Sequence, residues 1–472
     1  MSSPDGAAQL FETTGKARRL ELFSKPGTLR GRFQRGIYWN VVSAILNNGA
    51  NFVTNIAIAN LLGREIFGEY GMIQSTLMTF VGIAQAAGGI TATKYVAEFR
   101  SSNKERAGRV LGLCSATTFA TGAFATVLIL LSAPWLASTT LKASSLTRPL
   151  EIASAVVFFT VVNAYQMGAL AGLESYRGSA LANGLQGPIQ LGICSLSAWW
   201  WGLQGATLGL LVTAALRWLI LRLVLKREAH RQGIFLGFTG LWQERSILFR
   251  FALPAALGGL SAGPAIWLGN TFLVRQPAGY SQLALFSAAL NLKSVVMFLP
   301  LLLNNVGMSL LNNQRGENNE QRYRKVFWTN MFLTVGTALL GAGFIGIFGR
   351  HLLRLYGKTF PEGQHILFLL LLVAVIEAVG LAFYQVIQSR EKMWLSVGLI
   401  SLPRDILFVL LSYWLVPLNG ALGLSIAYAV AWLVYVIVAI AIVVSLGLTL
   451  RGVEPLRQAP QLAGVLGGDS EL

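Results

Sequence analysis

Three groups of polar side chains interrupt otherwise apolar stretches, and each is of a kind that is costly in lipid unless it finds a partner or an aqueous cavity. Asn47, Asn51 and Asn55, with Asn48 and Asn60 nearby, recur every fourth residue, which stacks their carboxamides on one helical face. Such a face either hydrogen-bonds to neighbouring helices or lines a polar transport cavity. Lys293, flanked by Asn291, lies near the middle of an apolar run that contains no acid. An unpaired ammonium there faces a hydrated cavity and suits an anionic substrate; a structural hydrogen-bonding role is the competing reading. Glu377, Arg404 and Asp405 sit at matching depths in successive runs, so antiparallel packing brings Glu377 and Arg404 together. The result is either a structural buried ion pair or a protonatable coupling site.

Other chemistry is missing from the pattern. There is no phosphate-binding GxxxxGK[ST] loop, no HExxH, and no nucleophile with an adjacent base, so neither an enzyme nor a cofactor is expected. His230, His351 and His365 fall in loops or at helix edges, and the two cysteines, Cys114 and Cys194, lie far apart in separate apolar runs, which supports neither a metal site nor a disulfide framework. Arg217 sits nearer one end of its run and is expected to snorkel. Gln85, Asn163, Gln166, Gln186, Gln190, Asn270, Asn304 and Asn305 are further polar groups within apolar runs, and Pro188, Pro254, Pro264 and Pro300 mark expected bends.

The elements that must position these residues follow from composition. Of 472 residues 54% are hydrophobic and only 12% charged, with a mean hydropathy of +0.58, so the solvent of this chain is lipid. Twelve apolar runs are long enough to cross about 30 Å of hydrocarbon: residues 37–61, 68–92, 110–133, 150–173, 179–201, 204–224, 249–274, 281–306, 326–348, 364–388, 394–415 and 419–445. Short turns at Gly202–Gln204 and Pro417–Gly420 make two tight hairpins. An even count places both termini on one side. Of the 37 lysines and arginines, 27 fall in the tails and loops of that side and 7 on the other, the remaining three being Arg217, Lys293 and Arg404. The positive-inside rule then makes both termini cytoplasmic. Basic residues between apolar runs address lipid headgroups, so the net charge of +17 does not indicate nucleic acid.

The start of the chain is echoed after Arg250, where Phe67-Gly68-Glu69-Tyr70 finds its counterpart in Gly279-Tyr280-Ser281-Gln282. The expected fold is an all-α integral membrane protein with about twelve transmembrane helices in two six-helix lobes, related by a parallel pseudo-two-fold repeat. Its expected parts are a basic cytoplasmic tail over 1–35, an N-lobe over 36–225, a cytoplasmic linker over 226–248, a C-lobe over 249–446 and a second tail over 447–472.

Arg35-Gly36-Ile37-Tyr38-Trp39, the run from Ala59 through Leu62-Gly63 and Phe67-Gly68 to Tyr70, and Lys94-Tyr95-Val96-Ala97-Glu98 together resemble the opening of the Wzx-type polysaccharide flippases. Those proteins show A-x-x-L-G-x-x-x-F-G-x-Y at the end of the first helix and K-Y-V-A-E near the end of the second. The motif covers the first hundred residues; beyond it the resemblance is one of topology, shared with the wider exporter superfamily of multidrug antiporters and peptidoglycan-precursor flippases.

This resemblance implies that a polyprenyl-pyrophosphate-linked oligosaccharide repeat unit is carried from the cytoplasmic to the periplasmic leaflet of a bacterial inner membrane by alternating access, with a polysaccharide polymerase and a chain-length regulator as partners. It also implies a cavity walled by helices one, two, seven and eight, two of which carry the asparagine face and Lys293. An ion-coupled multidrug exporter of the same superfamily is the second reading; those commonly use an acid early in the N-lobe, whereas the midmembrane acids here are in the C-lobe. A membrane-embedded polymerase or ligase is the third, disfavoured by outer loops too short to form a catalytic domain.

Overall fold

The computed structural model describes residues 29–85, 88–247, 261–316, 320–389 and 393–445. In order, the main elements are α1 (Leu29–Leu62), α2 (Arg64–Gln85), α3 (Gly88–Phe99), α4 (Lys104–Trp135), α5 (Thr147–Gly172), α6 (Tyr176–Arg231), α7 (Ala262–Val274), α8 (Gly279–Gly316), α9 (Glu320–Arg354), α10 (Gln364–Ser389) and α11 (Leu402–Ser445). The basic tail expected over 1–35 lies outside the described residues as far as 28, and its last seven residues already belong to α1. The tail over 447–472 lies outside them altogether.

Among the described residues, 8 helical stretches are long and apolar enough to cross a membrane. Two of these hold more than one crossing. At 1.5 Å per residue the 56 residues of α6 would extend about 84 Å, far beyond one hydrocarbon layer. The helix instead reverses where Gly202 takes φ 56°, ψ −133°, and α11 reverses at Gly420 with φ 55°, ψ −131°. Only glycine visits this region readily. After the first reversal the chain packs straight back on itself: a Cβ at Gly209 would stand 2.8 Å from the Cα of Cys194. Trp199, Trp200 and Trp201 precede one reversal and Tyr413 and Trp414 the other, all largely exposed, as aromatic side chains are at a membrane interface. With α2 and α3 on the second apolar run and α7 on the end of the seventh, helix occupies all twelve runs; residues 248–260, the start of the seventh, lie outside the described residues.

Local signals fix several ends. Gly63, with φ 81°, closes α1 by donating its N–H to the Ala59 carbonyl at 3.0 Å. Asn103 caps α4 by accepting the Arg106 N–H at 2.9 Å, with Glu105 in the first turn.

The chain divides into two compact units. One comprises residues up to Gly63 and Thr76–Leu260; the other comprises Arg64–Ser75 and Ser261 onward. The first twelve residues of α2 therefore group with the later half of the chain, where the sequence had suggested the N-lobe. The first unit is centred on Val96, Val110, Leu111, Leu170, Leu221 and Leu225, with the Tyr165 hydroxyl donating to the Leu111 carbonyl at 2.8 Å. Its helices touch at small residues: a Cβ at Gly187 of α6 would stand 2.7 Å from that of Ala50 and 3.0 Å from the Cα of Asn47 on α1.

Of residues 226–248, expected as a connection, those described, 226–247, do not hang free. Helix α6 continues to Arg231, and the irregular stretch beyond lies on α4, with Gly237 donating to the Gly108 carbonyl at 3.1 Å. The Phe235 carbonyl occupies the place where a side chain at Gly108 would be. Buried Glu244 then receives the Arg106 guanidinium through bonds of 3.0 and 3.1 Å.

The second unit is centred on Phe327, Val373, Phe383, Ile387, Tyr435, Val436 and Ala439. In it Arg64 pairs with Glu362 at 2.6 Å, and Phe67 packs on Tyr356 and Phe360 with ring centroids 6.0 Å apart in each case. The two echoing segments meet there, since the Tyr280 carbonyl lies against Gly68.

Candidate functional site

In the second unit α8, α10 and α11 converge on four ionisable groups and three aromatic rings. Lys293 of α8 is only 6% exposed, and its Nζ contacts Glu377 Oε2 of α10 and donates to the Tyr428 hydroxyl of α11 at 3.0 Å. The same ammonium lies 4.7 Å from the Tyr428 ring centroid and 6.0 Å from that of Trp432. Arg404 grips its neighbour Asp405 through Nε at 2.8 Å and Nη2 at 2.6 Å, and its guanidinium stands 4.8 Å from the Trp432 ring and 5.4 Å from the Tyr435 ring. Tyr428, Trp432 and Tyr435 follow the i, i+4, i+7 rhythm of one helical face. Two cations and two carboxylates are thus arranged along an aromatic ladder.

Two expectations are corrected by this arrangement. Lys293 is not an unpaired ammonium: the acid missing from its own helix is supplied by Glu377 on α10. Glu377 and Arg404 are not partners. Lysine's long stem reaches Glu377 from α8, while Arg404 closes a local pair with the adjacent Asp405 and stacks on the ladder, so each acid is matched with a different cation. One oxygen of Asp405, Oδ2, remains buried without a hydrogen-bond partner. Asn291 stays apart from the cluster. Two residues before Lys293, it points to another side of α8, beside the Tyr356 hydroxyl.

A second polar group in this unit is centred on fully buried Gln385, which donates to the Asn304 carbonyl and accepts from Asn330 at 2.8 Å. The ladder was missed by sequence reasoning, although its spacing was there to be seen. Gln385 gave no such signal, since nothing in the run set it apart from Gln388 three residues on.

In the first unit the asparagine face of α1 lies against the first half of α6. Asn51 Oδ1 accepts from Gln190 Nε2 at 2.9 Å, Asn55 turns back to the Asn51 carbonyl at 2.9 Å, and Asn47 Oδ1 is buried without a partner. The three amides therefore behave differently despite their equal spacing. Arg217 does not snorkel. Its Nη2 donates sideways to Asn183 Oδ1 of the same hairpin at 2.8 Å.

Among the described residues no three His, Cys, Asp or Glu side chains gather as metal ligands, and both cysteines are buried free thiols. What the polar groups offer is charge and hydrogen bonding inside apolar helices, which is the equipment for carrying a polar solute.

Residues 33–311 match the family model described as polysaccharide biosynthesis protein. The chain belongs to that family. Among curated relatives, the EPS I polysaccharide export inner membrane protein EpsE of Ralstonia nicotianae is 23% identical over 424 residues, covering 86% of this chain and 93% of that protein. The protein of the same name from Ralstonia solanacearum is 23% identical over 406 residues, covering 83% and 88%. Among solved structures, an inward-facing multidrug resistance MATE family transporter of the MOP superfamily superposes with a TM-score of 0.71 at 18% identity, covering 86% of this chain and 95% of that one. A MOP superfamily transporter from Pyrococcus furiosus gives 0.65 at 17% identity, covering 87% and 96%. This member of the polysaccharide biosynthesis family therefore has the two-lobe all-α membrane transporter fold.

Proposed function

We propose that the chain is a flippase that translocates a polyprenyl-pyrophosphate-linked oligosaccharide across the bacterial inner membrane by alternating access, for surface polysaccharide biosynthesis. The observation that carries this reading is the family match over residues 33–311. The export proteins of Ralstonia and the transporter fold point the same way. The excess of 27 basic residues on one side over 7 on the other supports a reading in which both termini are cytoplasmic. A polymerase and a chain-length regulator would act on the delivered unit.

Within this reading Lys293 meets the anionic headgroup by exchanging partners. In the unloaded protein Glu377 neutralises it; an incoming phosphate takes that place, and Glu377 is released to accept a proton. Asn47, Asn51, Asn55 and Asn291 are proposed to line the path, and Arg404 with Asp405 to hold α11 in register beside it. The test is complementation of a strain lacking the gene, scoring surface polysaccharide, lipid-linked repeat units held in the inner leaflet, and drug sensitivity. Loss of the chain should abolish the polymer and accumulate the repeat unit. Intact polymer with heightened drug sensitivity would sink the flippase reading in favour of multidrug export, to which the MATE likeness lends its fold.

A further inference from the structure

Three basic residues lie well inside the apolar runs, away from their ends, and two of them have carboxylate partners: Lys293 with Glu377, and Arg404 with Asp405. Arg217 is the exception. It lies on the second half of α6, fifteen residues and about 22 Å along the axis from the Gly202 reversal. Among the described residues its hydrogen-bond partner is the neutral Asn183 Oδ1, at 2.8 Å, and its Nε is sealed from solvent with no acceptor. A guanidinium does not deprotonate in proteins, so its charge must be met by something else.

Asn183 belongs to a row. Gln186 and Gln190 follow it at i+3 and i+7, extending the same face of α6 by about 10 Å. At the far end Gln190 is tied to Asn51 of α1. Between them Gln186 Oε1 is buried without a donor, as is Asn47 Oδ1 on the α1 turn packed against Gly187. A fork of N–H donors without a counter-charge, at one end of a strip of amides, has the chemistry of an oxyanion site. Guanidinium groups bind phosphate through paired charge-assisted bonds.

We propose that Arg217, oriented by Asn183, is an anion site in the first unit for a phosphate-bearing lipid headgroup. Its identification with the cargo rests on the flippase reading above. The same phosphate chemistry is offered by a bilayer phospholipid, and the two sources separate experimentally.

Full-length protein in nanodiscs of phosphatidylethanolamine would be titrated with farnesyl diphosphate in one arm and phosphatidylglycerol in the other, with bound lipid counted by native mass spectrometry and thermal melting followed in parallel. Arg217→Gln is expected to weaken diphosphate binding about tenfold or more, as loss of a charge-assisted pair does. Arg217→Lys should retain part of it, and Asn183→Ala should change affinity by less than threefold. Loss confined to the diphosphate arm assigns the site to cargo; loss of phosphatidylglycerol alone or of both upholds the anion site and assigns it to bilayer lipid. Undiminished binding of both by Arg217→Gln overturns it. So does a parallel fall of binding and melting temperature in Arg217→Gln and Asn183→Ala, which would make the arginine a strut between the halves of α6. Wild-type protein that binds no diphosphate counts against the flippase reading, while the phosphatidylglycerol arm still tests Arg217.

Discussion

At the scale of single residues the energetics of Lys293 and Glu377 are lopsided. An ion pair taken out of water gives little net stability, but removing one member strands the other, at a cost of about 3–5 kcal/mol. Lys293→Ala should therefore lower the melting temperature of the purified protein sharply, because Glu377 is left without its partner in an apolar setting. The double change Lys293→Met with Glu377→Leu should restore most of that stability while export stays absent. A double variant that still exports would show the pair to be purely structural. By the same logic, exchanging Glu377 and Arg404 is not expected to rescue either single change, since they do not face one another. All four charged residues were conspicuous in the sequence because apolar runs hold so few of them. Their pairing was not legible: the partner of Lys293 lies 84 residues away, and partner choice depends on how α8, α10 and α11 are rotated about their axes.

At the scale of elements, the two reversals share a backbone geometry but not a setting. A methyl at Gly202 meets open space, so Gly202→Ala should cost only the backbone strain, about 1–3 kcal/mol. At Gly420 the added carbon falls on the Gln282 carboxamide oxygen, which already accepts the Ala421 N–H at 2.7 Å. Gly420→Ala should be the more damaging of the two in a thermal melt, and equal losses would refute the role given to Gln282. Glu244 offers a second test. Replacing it with Ala deprives Arg106 of its partner and should make residues 232–247 the first site of cleavage in limited proteolysis. Apolar length located the helices, and glycine with proline located the hairpins. The strap over 232–247 read as a linker because it is held by backbone against Gly108 and Gly112, by one acid and by two widely spaced core isoleucines, Ile234 and Ile247, which together make no hydrophobic pattern to see.

At the scale of the whole chain, α2 is the element that two compact units share. It contains no proline, the usual cause of a sharp bend, so it is a poor place to absorb motion. If α2 moves as one piece with the first unit under alternating access, its first turns part from α8 during the cycle. A Cβ at position 71 would lie 3.7 Å from that of Ser287, within the range that a disulfide bridges. Gly71→Cys with Ser287→Cys should cross-link under oxidation and arrest export, and reductant should restore it; continued export by the cross-linked protein would mean that this segment of α2 never leaves α8. The lobe count and the asparagine face were readable from period and spacing, but the allegiance of Arg64–Ser75 was not. It rests on rings far down the chain, at Tyr356 and Phe360.

That distance also sets a schedule for biosynthesis. Phe67, Tyr70 and Ile73 are each no more than 1% exposed in the finished protein. From position 67 to position 360 a ribosome has 293 residues still to add, about 15–60 s at ordinary rates of synthesis. For that interval Phe67 lacks the Tyr356 and Phe360 rings that pack on it in the finished protein. A chain that ends before Tyr356 never gains those rings, and is expected to be degraded faster than the full-length chain in a pulse–chase experiment.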